Sequence, residues 1–339
     1  MDRALKLPEL QALEEIIAAG GSALNVARHE SAAAPGTPSM PVYAITLGTK
    51  DEAAPAAGFF AGVHGLEGIG TQVVLSFLRG IVARLAWDET LHRQLEAMRL
   101  VFMPLVNPGG MLRGTRANPA GVDLMRNSPV EAADPTPFLV GGQRISAGLP
   151  WYRGRAGEPM QPESRALCDT VERELLARPF SIALDCHSGF GMRDRLWFPF
   201  AGRRAPFGGL PHLHAMHAIF EQTHSNHVYV VEPQSRQYLA HGDLWDHLVL
   251  RSDPRRVFLP LTLEMGSWLW VKKNPRQFFS LRGLFNPLVD HREQRVLRRH
   301  GPLLDFIVRA AMSAPRWLPG TTEACEQHRR SALARWYSG

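Results

Sequence analysis

The spacing of apolar residues along the chain switches between helical and strand-like periods. Residues 7–19 carry them at helical intervals and stop at Gly20-Gly21, a pair suited to ending a helix. Residues 31–39, rich in Ala, Pro and Ser, read as a linker. Beyond it, short apolar runs at 41–47, 57–63, 100–106, 181–185, 228–231 and 258–263 predict strands. Between them, amphipathic segments at 67–85, 163–177, 241–250, 289–299 and 303–312 predict helices, the first with its stripe at Ile69, Val73, Val74, Phe77, Leu78 and Ile81. Apolar strands alternating with helices imply an α/β fold whose sheet is covered on both faces. No internal repeat interrupts the pattern, so one domain is expected over 1–339. It would comprise an N-terminal helix and linker (1–40), a core (41–315) and a helical basic tail (316–339).

Composition narrows the function classes. With 339 residues, 45% hydrophobic and 21% charged, the chain suits a soluble protein with a large core. No apolar run reaches the roughly 18–20 residues that span a bilayer, so no membrane partner is expected. The start Met1-Asp2-Arg3-Ala4-Leu5-Lys6-Leu7-Pro8 lacks a secretory layout, and a cytoplasmic location follows as the expectation. The three cysteines, Cys168, Cys186 and Cys325, are unclustered and fit a reducing compartment rather than a Cys-based zinc site. The net charge of +6 is nearly all scattered Arg, which argues against nucleic acid as a partner.

The candidate chemistry collects where predicted strands end. In open α/β sheets ligands gather at the carboxyl ends of the strands. His64-Gly65-Leu66-Glu67 follows the apolar run 57–63, Asp185-Cys186-His187-Ser188-Gly189 closes another, and Glu264 ends Leu261-Thr262-Leu263. His64, Glu67 and His187 supply two imidazoles and a carboxylate, the ligand set of a catalytic zinc with one position left for water. Asp185 is placed to orient an imidazole. A carboxylate on an apolar strand is costly unless paired or near a metal, which makes Glu264 the natural general base. Between the ligands lie Asn107-Pro108-Gly109-Gly110-Met111-Leu112-Arg113-Gly114-Thr115-Arg116 and Gly121-Val122-Asp123-Leu124-Met125-Arg126-Asn127. Their Arg113, Arg116 and Arg126 are candidates for an anionic substrate group or a developing oxyanion.

Taken in order, His-x-x-Glu, Asn-Pro-Gly-Gly, Arg-x-x-Arg, Gly-Val-Asp-Leu-x-Arg-Asn, a strand-end His and a strand-end Glu, the motifs over 57–266 resemble the zinc carboxypeptidases of the carboxypeptidase A superfamily. The His-Gly-x-Glu form is similar to the bacterial cytosolic branches, including murein-peptide amidases and N-acyl-amino-acid deacylases. The resemblance implies a three-layer α/β/α sandwich with a mixed, mostly parallel sheet. It also implies one Zn2+ per chain on His64, Glu67 and His187, and a zinc-bound water activated by Glu264. In the same reading Arg113 stabilises the oxyanion and Arg126 holds the substrate's carboxylate. The implied activity is metallocarboxypeptidase hydrolysis of a peptide or amide bond near a free carboxylate. The alternatives are a deacylase of N-acyl amino acids or murein peptides and, in a different class, an inactive peptide-binding protein.

Two positions depart from the family pattern. Met125 stands where a carboxylate-binding Asn is expected, and the family's mobile Tyr has no clear match. Tyr238, His241 and His247 are the nearby candidates for substrate contact. Arg251, Arg255 and Arg256 raise an acidic substrate side chain as an expectation. A second group, His212, His214, His217, His224 and His227, reads as a solvated helix and loop, without a carboxylate at recognised metal spacing.

Overall fold

Phe59 and Phe60 are consecutive and both fully buried, which a strand achieves only when both faces of its sheet are covered. The computed structural model, which describes residues 7–189 and 191–338, shows that sheet. The start at Met1–Lys6, on which the expectation about a secretory leader largely rests, lies outside the described residues. Eight strands, β1 (Asn25–Glu30), β2 (Pro41–Gly48), β3 (Ala56–Ala61), β4 (Arg99–Met103), β5 (Phe180–Ser188), β6 (Arg195–Phe198), β7 (Val230–Pro233) and β8 (Val257–Met265), run in the order β1-β2-β4-β3-β5-β8-β6-β7. The central four, β4, β3, β5 and β8, are mutually parallel, while β1, β2 and β6 pair antiparallel with their inner neighbours. The sheet is therefore mixed, as expected.

The helices are α1 (Pro8–Gly20), α2 (Gly68–Arg84), α3 (Glu89–Ala97), α4 (Pro108–Arg113), α5 (Pro162–Val171) and α6 (Leu210–Thr223). They continue with α7 (Leu244–Arg251), α8 (Trp268–Lys273), α9 (Leu281–Phe285), α10 (Asp290–Met312), α11 (Ala314–Trp317) and α12 (Thr322–Trp336). Phe59 packs with Phe102, Leu184 and the buried stripes of α2 and α10 on one face. Phe60 points the other way, into a core with Ala183, Leu167 of α5 and Trp245 of α7. Among the described residues no single helix is long and apolar enough to cross a membrane.

Where structure and pattern differ, the causes are local. β1 pairs with β2 alone, at the edge of the sheet, and its sequence Asn-Val-Ala-Arg-His-Glu carries no apolar run to announce it. The helices expected at 289–299 and 303–312 are one, because the stripe Val296, Leu303, Leu304 and Ile307 stays in phase and buried across Pro302. Proline there removes one helical hydrogen bond, which the packing offsets. The strand expected at 181–185 continues to Ser188, since its ladder with β8 runs on through His187↔Glu264 and Ser188↔Met265. The C-terminal segment is helical as expected but docked: Trp336 is 2% exposed and meets the Phe198 ring at 4.9 Å.

The start of α2 shows what positions the site. Glu67 is its N-cap residue, yet makes no side-chain cap. Asn286 does this instead from far along the chain: its Oδ1 accepts from the Ile69 amide at 2.8 Å, and its Nδ2 donates to the Leu66 carbonyl at 2.7 Å. Asn286→Ala is expected to lower stability by about 1–3 kcal/mol in urea unfolding, with Asn286→Asp recovering part of it. A loss below about 0.5 kcal/mol would show that the helix start is held by other contacts.

Candidate metal centre

Three adjacent parallel strands end together. In the register, Ala61 of β3 stands beside Cys186 of β5, and His187 of β5 beside Glu264 of β8. His64 lies just past β3, after Gly62, whose φ of +66° turns the chain. Gly65 follows; a Cβ there would lie 2.1 Å from the Gly110 carbonyl carbon, so only glycine lets the loop rest on α4. This bend carries Glu67 back across the strand ends, where ligand atoms of His64, Glu67 and His187 all lie within 4.8 Å of one another.

All three side chains are almost completely buried. Glu67 Oε2 faces His187 Nδ1 at 2.9 Å and accepts the Ser188 amide at 3.1 Å. His187 Nε2 stands 2.8 Å from Asp185 Oδ2, and that oxygen accepts the indole N–H of Trp245 at 3.0 Å. Burial alone would lower His187, but the Asp185 and Glu67 carboxylates outweigh it and hold the ring protonated well above its ordinary range. His64 is the reverse: burial, then the Arg116 charge, keeps it neutral. Its Nε2 accepts from Arg116 Nη2 at 2.7 Å, while its Nδ1 is buried without a hydrogen-bond partner, 3.6 Å from Asp123 Oδ1. A neutral imidazole, a carboxylate, and a second imidazole whose two ring nitrogens each face a carboxylate fit a divalent ion with nitrogen and oxygen ligands.

The centre opens into a cavity of about 280 Å³ that Glu264 also lines. Burial, then the Glu67 charge, pushes the Glu264 carboxyl up to about 8. Arg126 is buried in the wall, donating to Asp123 Oδ2 at 3.1 Å and to the Val140 carbonyl at 3.1 Å. The Tyr238 ring lies 5.8 Å from its guanidinium carbon. Met125, Trp151 and Trp197 make the rest of the wall largely apolar, and Trp151 holds a left-handed φ of +58°.

The structure separates some expected site residues from this cleft. Arg113 is exposed at the end of α4, donates to the Pro119 carbonyl at 3.0 Å and does not line the cavity. Arg116 stands there instead, bonded to Glu67, His64 and Asp123. His241 does not line the cavity either; its ring pairs with Glu131 at 2.9 Å and meets the Thr136 hydroxyl at 3.0 Å. His247 lies outside too, on α7 near Arg251 and Glu172. Arg251 pairs with Glu172, Arg255 with Asp253, and Arg256 donates to the Leu176 carbonyl, so none of the three reaches the cleft. Sequence reasoning passed over Asp123, which joins Arg116, Arg126 and His64, although it sits inside the Gly-Val-Asp-Leu motif. It also passed over Trp151, Trp197 and Trp245, for which no local pattern exists. In the second histidine group, His217 is buried rather than solvated, and Glu221 accompanies it one helical turn away.

A sequence model of the zinc carboxypeptidase family matches residues 35–243. Similar solved structures include three carboxypeptidase-type proteins. Thrombin activatable fibrinolysis inhibitor has a TM-score of 0.64 at 19% identity, over 89% of this chain and 72% of that one. The bovine form, in complex with tick carboxypeptidase inhibitor, has 0.61 at 18% over 92% and 97%. Carboxypeptidase A from Helicoverpa armigera has 0.62 at 18% over 89% and 72%. At such identities the likeness is one of fold. No curated protein matches.

Trp245→Phe removes the indole donor to Asp185 while keeping a ring against Phe60. The expected result is a loss of about 1–3 kcal/mol in denaturant unfolding. Metal affinity in competition with a chelator should fall about 10–100-fold. Unchanged metal affinity would show that Asp185 does not need this bond to hold His187.

Proposed function

The chain belongs to the zinc carboxypeptidase family, and from that premise we propose that it is a metallocarboxypeptidase releasing residues from the carboxyl end of peptides. The observation that carries this reading is the meeting of His64, Glu67, His187 and Glu264 at three adjacent strand ends, with Arg116 and Arg126 facing the same cavity. His64, Glu67 and His187 would hold a single zinc ion, which would supply Lewis-acid chemistry to the site.

The chain's own groups do the rest. Glu264 accepts the proton of the attacking water and delivers it to the leaving amine. Arg116, rather than Arg113, is the donor to the developing oxyanion, and Asp123 fixes its guanidinium through Nε at 2.9 Å. Arg126, held by Asp123 and Val140, receives the substrate's terminal carboxylate. Met125 offers no hydrogen-bond donor where the family pattern has an amide, so this contact rests more heavily on Arg126. Tyr238, stacked near that guanidinium, lies on the substrate side of the cleft.

Glu264→Ala is expected to retain one tightly held zinc while hydrolysis of C-terminally varied peptides falls at least about 100-fold. Undiminished hydrolysis in that variant contradicts the assignment of Glu264. Cleavage confined to N-acyl amino acids or murein tripeptide would move the substrate to the deacylase class. The two arginines are separated by one comparison: Arg116→Gln should lower kcat by about 100-fold or more, and Arg113→Ala should leave it unchanged. The opposite order would return the oxyanion role to Arg113.

A further inference from the structure

Outside the cleft, a second group of metal-ligating side chains converges on the face where α6 meets α12. His217 and Glu221 stand one turn apart on α6, and His227 comes from the loop that follows it. Ligand atoms of the three lie within 4.8 Å of one another, and His217 Nε2 stands 3.6 Å from Glu221 Oε1. The two imidazole rings are 6.4 Å apart at 78°. Phe220 stacks on the His227 ring at 4.7 Å and fixes its plane. None of the three lines the catalytic cavity.

We propose that His217, Glu221 and His227 form a second, independent binding site for a divalent transition-metal ion of the zinc class. Two imidazoles and one carboxylate match the borderline ligand preference of zinc, and leave a fourth position for water. His217 is buried and, through burial first and the Arg335 charge second, lowered to about 4, so its lone pair is free at neutral pH. A cation already stands against the carboxylate: the Arg335 guanidinium donates to Glu221 Oε1 at 2.7 Å and to Oε2 at 3.2 Å. Arg335 is 45% exposed and has room to leave.

Two contacts oppose the metal and set its affinity. Arg335 must release Glu221. The Tyr229 amide, which donates to His227 Nδ1 at 3.2 Å, must give up that bond when the ring coordinates through its other nitrogen. Glu221 and His227 are partly exposed whereas all three ligands of the first centre are buried, so the second ion is held more weakly, with an affinity that Arg335 limits.

Equilibrium dialysis of the full chain against buffered free Zn2+ tests this. The wild-type protein should take up two ions, the second at least about 100-fold more weakly than the first. Glu221→Gln and His227→Ala, both partly exposed positions, should weaken only the second ion, by about 10-fold or more, and keep peptide hydrolysis. Arg335→Ala should tighten the second ion about 10-fold. A wild-type protein saturating at one ion overturns the proposal. So does a second ion that neither Glu221→Gln nor His227→Ala disturbs, or one that Arg335→Ala fails to tighten. Since the readout is the second equivalent alone, the result stands apart from whether the first supports hydrolysis.

Discussion

Charge neutrality inside a buried site governs this structure. Glu67, Asp123, Asp185 and Glu264 are all under 10% exposed and crowd the ends of β3, β5 and β8. A buried carboxylate without compensation costs several kcal/mol. With Glu264 holding a proton, three negative charges face Arg116, Arg126 and a protonated His187. A divalent ion bound there, with the extra proton of His187 lost and Glu264 ionised, would leave that balance unchanged. The same cluster is thus neutral with two protons or with one metal ion.

The fold delivers these groups by ending parallel strands at one level. β5 and β8 run in register to His187 and Glu264, so the second imidazole and the base are fixed by backbone pairing rather than by loops. His64 and Glu67 depend on the tight bend after β3, which needs Gly62 and Gly65 and is closed by Asn286. Because Asn286 caps α2, the carboxylate of Glu67 is free to face His187. Behind them, Trp245 bonds Asp185 and packs on Phe60, tying the orientation of His187 to the core.

Much of this was legible in the sequence, for physical reasons that also mark the limits. Buried parallel strands are continuous apolar runs, so β3, β4, β5 and β8 announce themselves, and the residues that end them are the chemical ones. Arg113 and Arg116 were not separable that way. Both follow the same turn, and only the geometry of α4 decides between them: the helix ends at Arg113, and Gly114, at φ +63°, turns the chain so that Arg116 returns to His64. The Arg116 carbonyl then accepts the Gly65 amide at 3.3 Å, locking the two segments together. His241 and His247 had the right place in motif order, but Asp243 starts α7 between them, accepting the Asp246 amide, and each ring falls outside the cavity. β1 and the tryptophans of the wall depend on partners distant in sequence, which no local period encodes.

The most direct measurement is a crystal structure of the protein loaded with one equivalent of zinc, with data collected at the zinc absorption edge. The strongest anomalous peak is expected among His64, Glu67 and His187, with both imidazoles and the Glu67 carboxylate at about 2.0–2.2 Å from it. A principal peak elsewhere, or an ion there that lacks either histidine, would contradict the account.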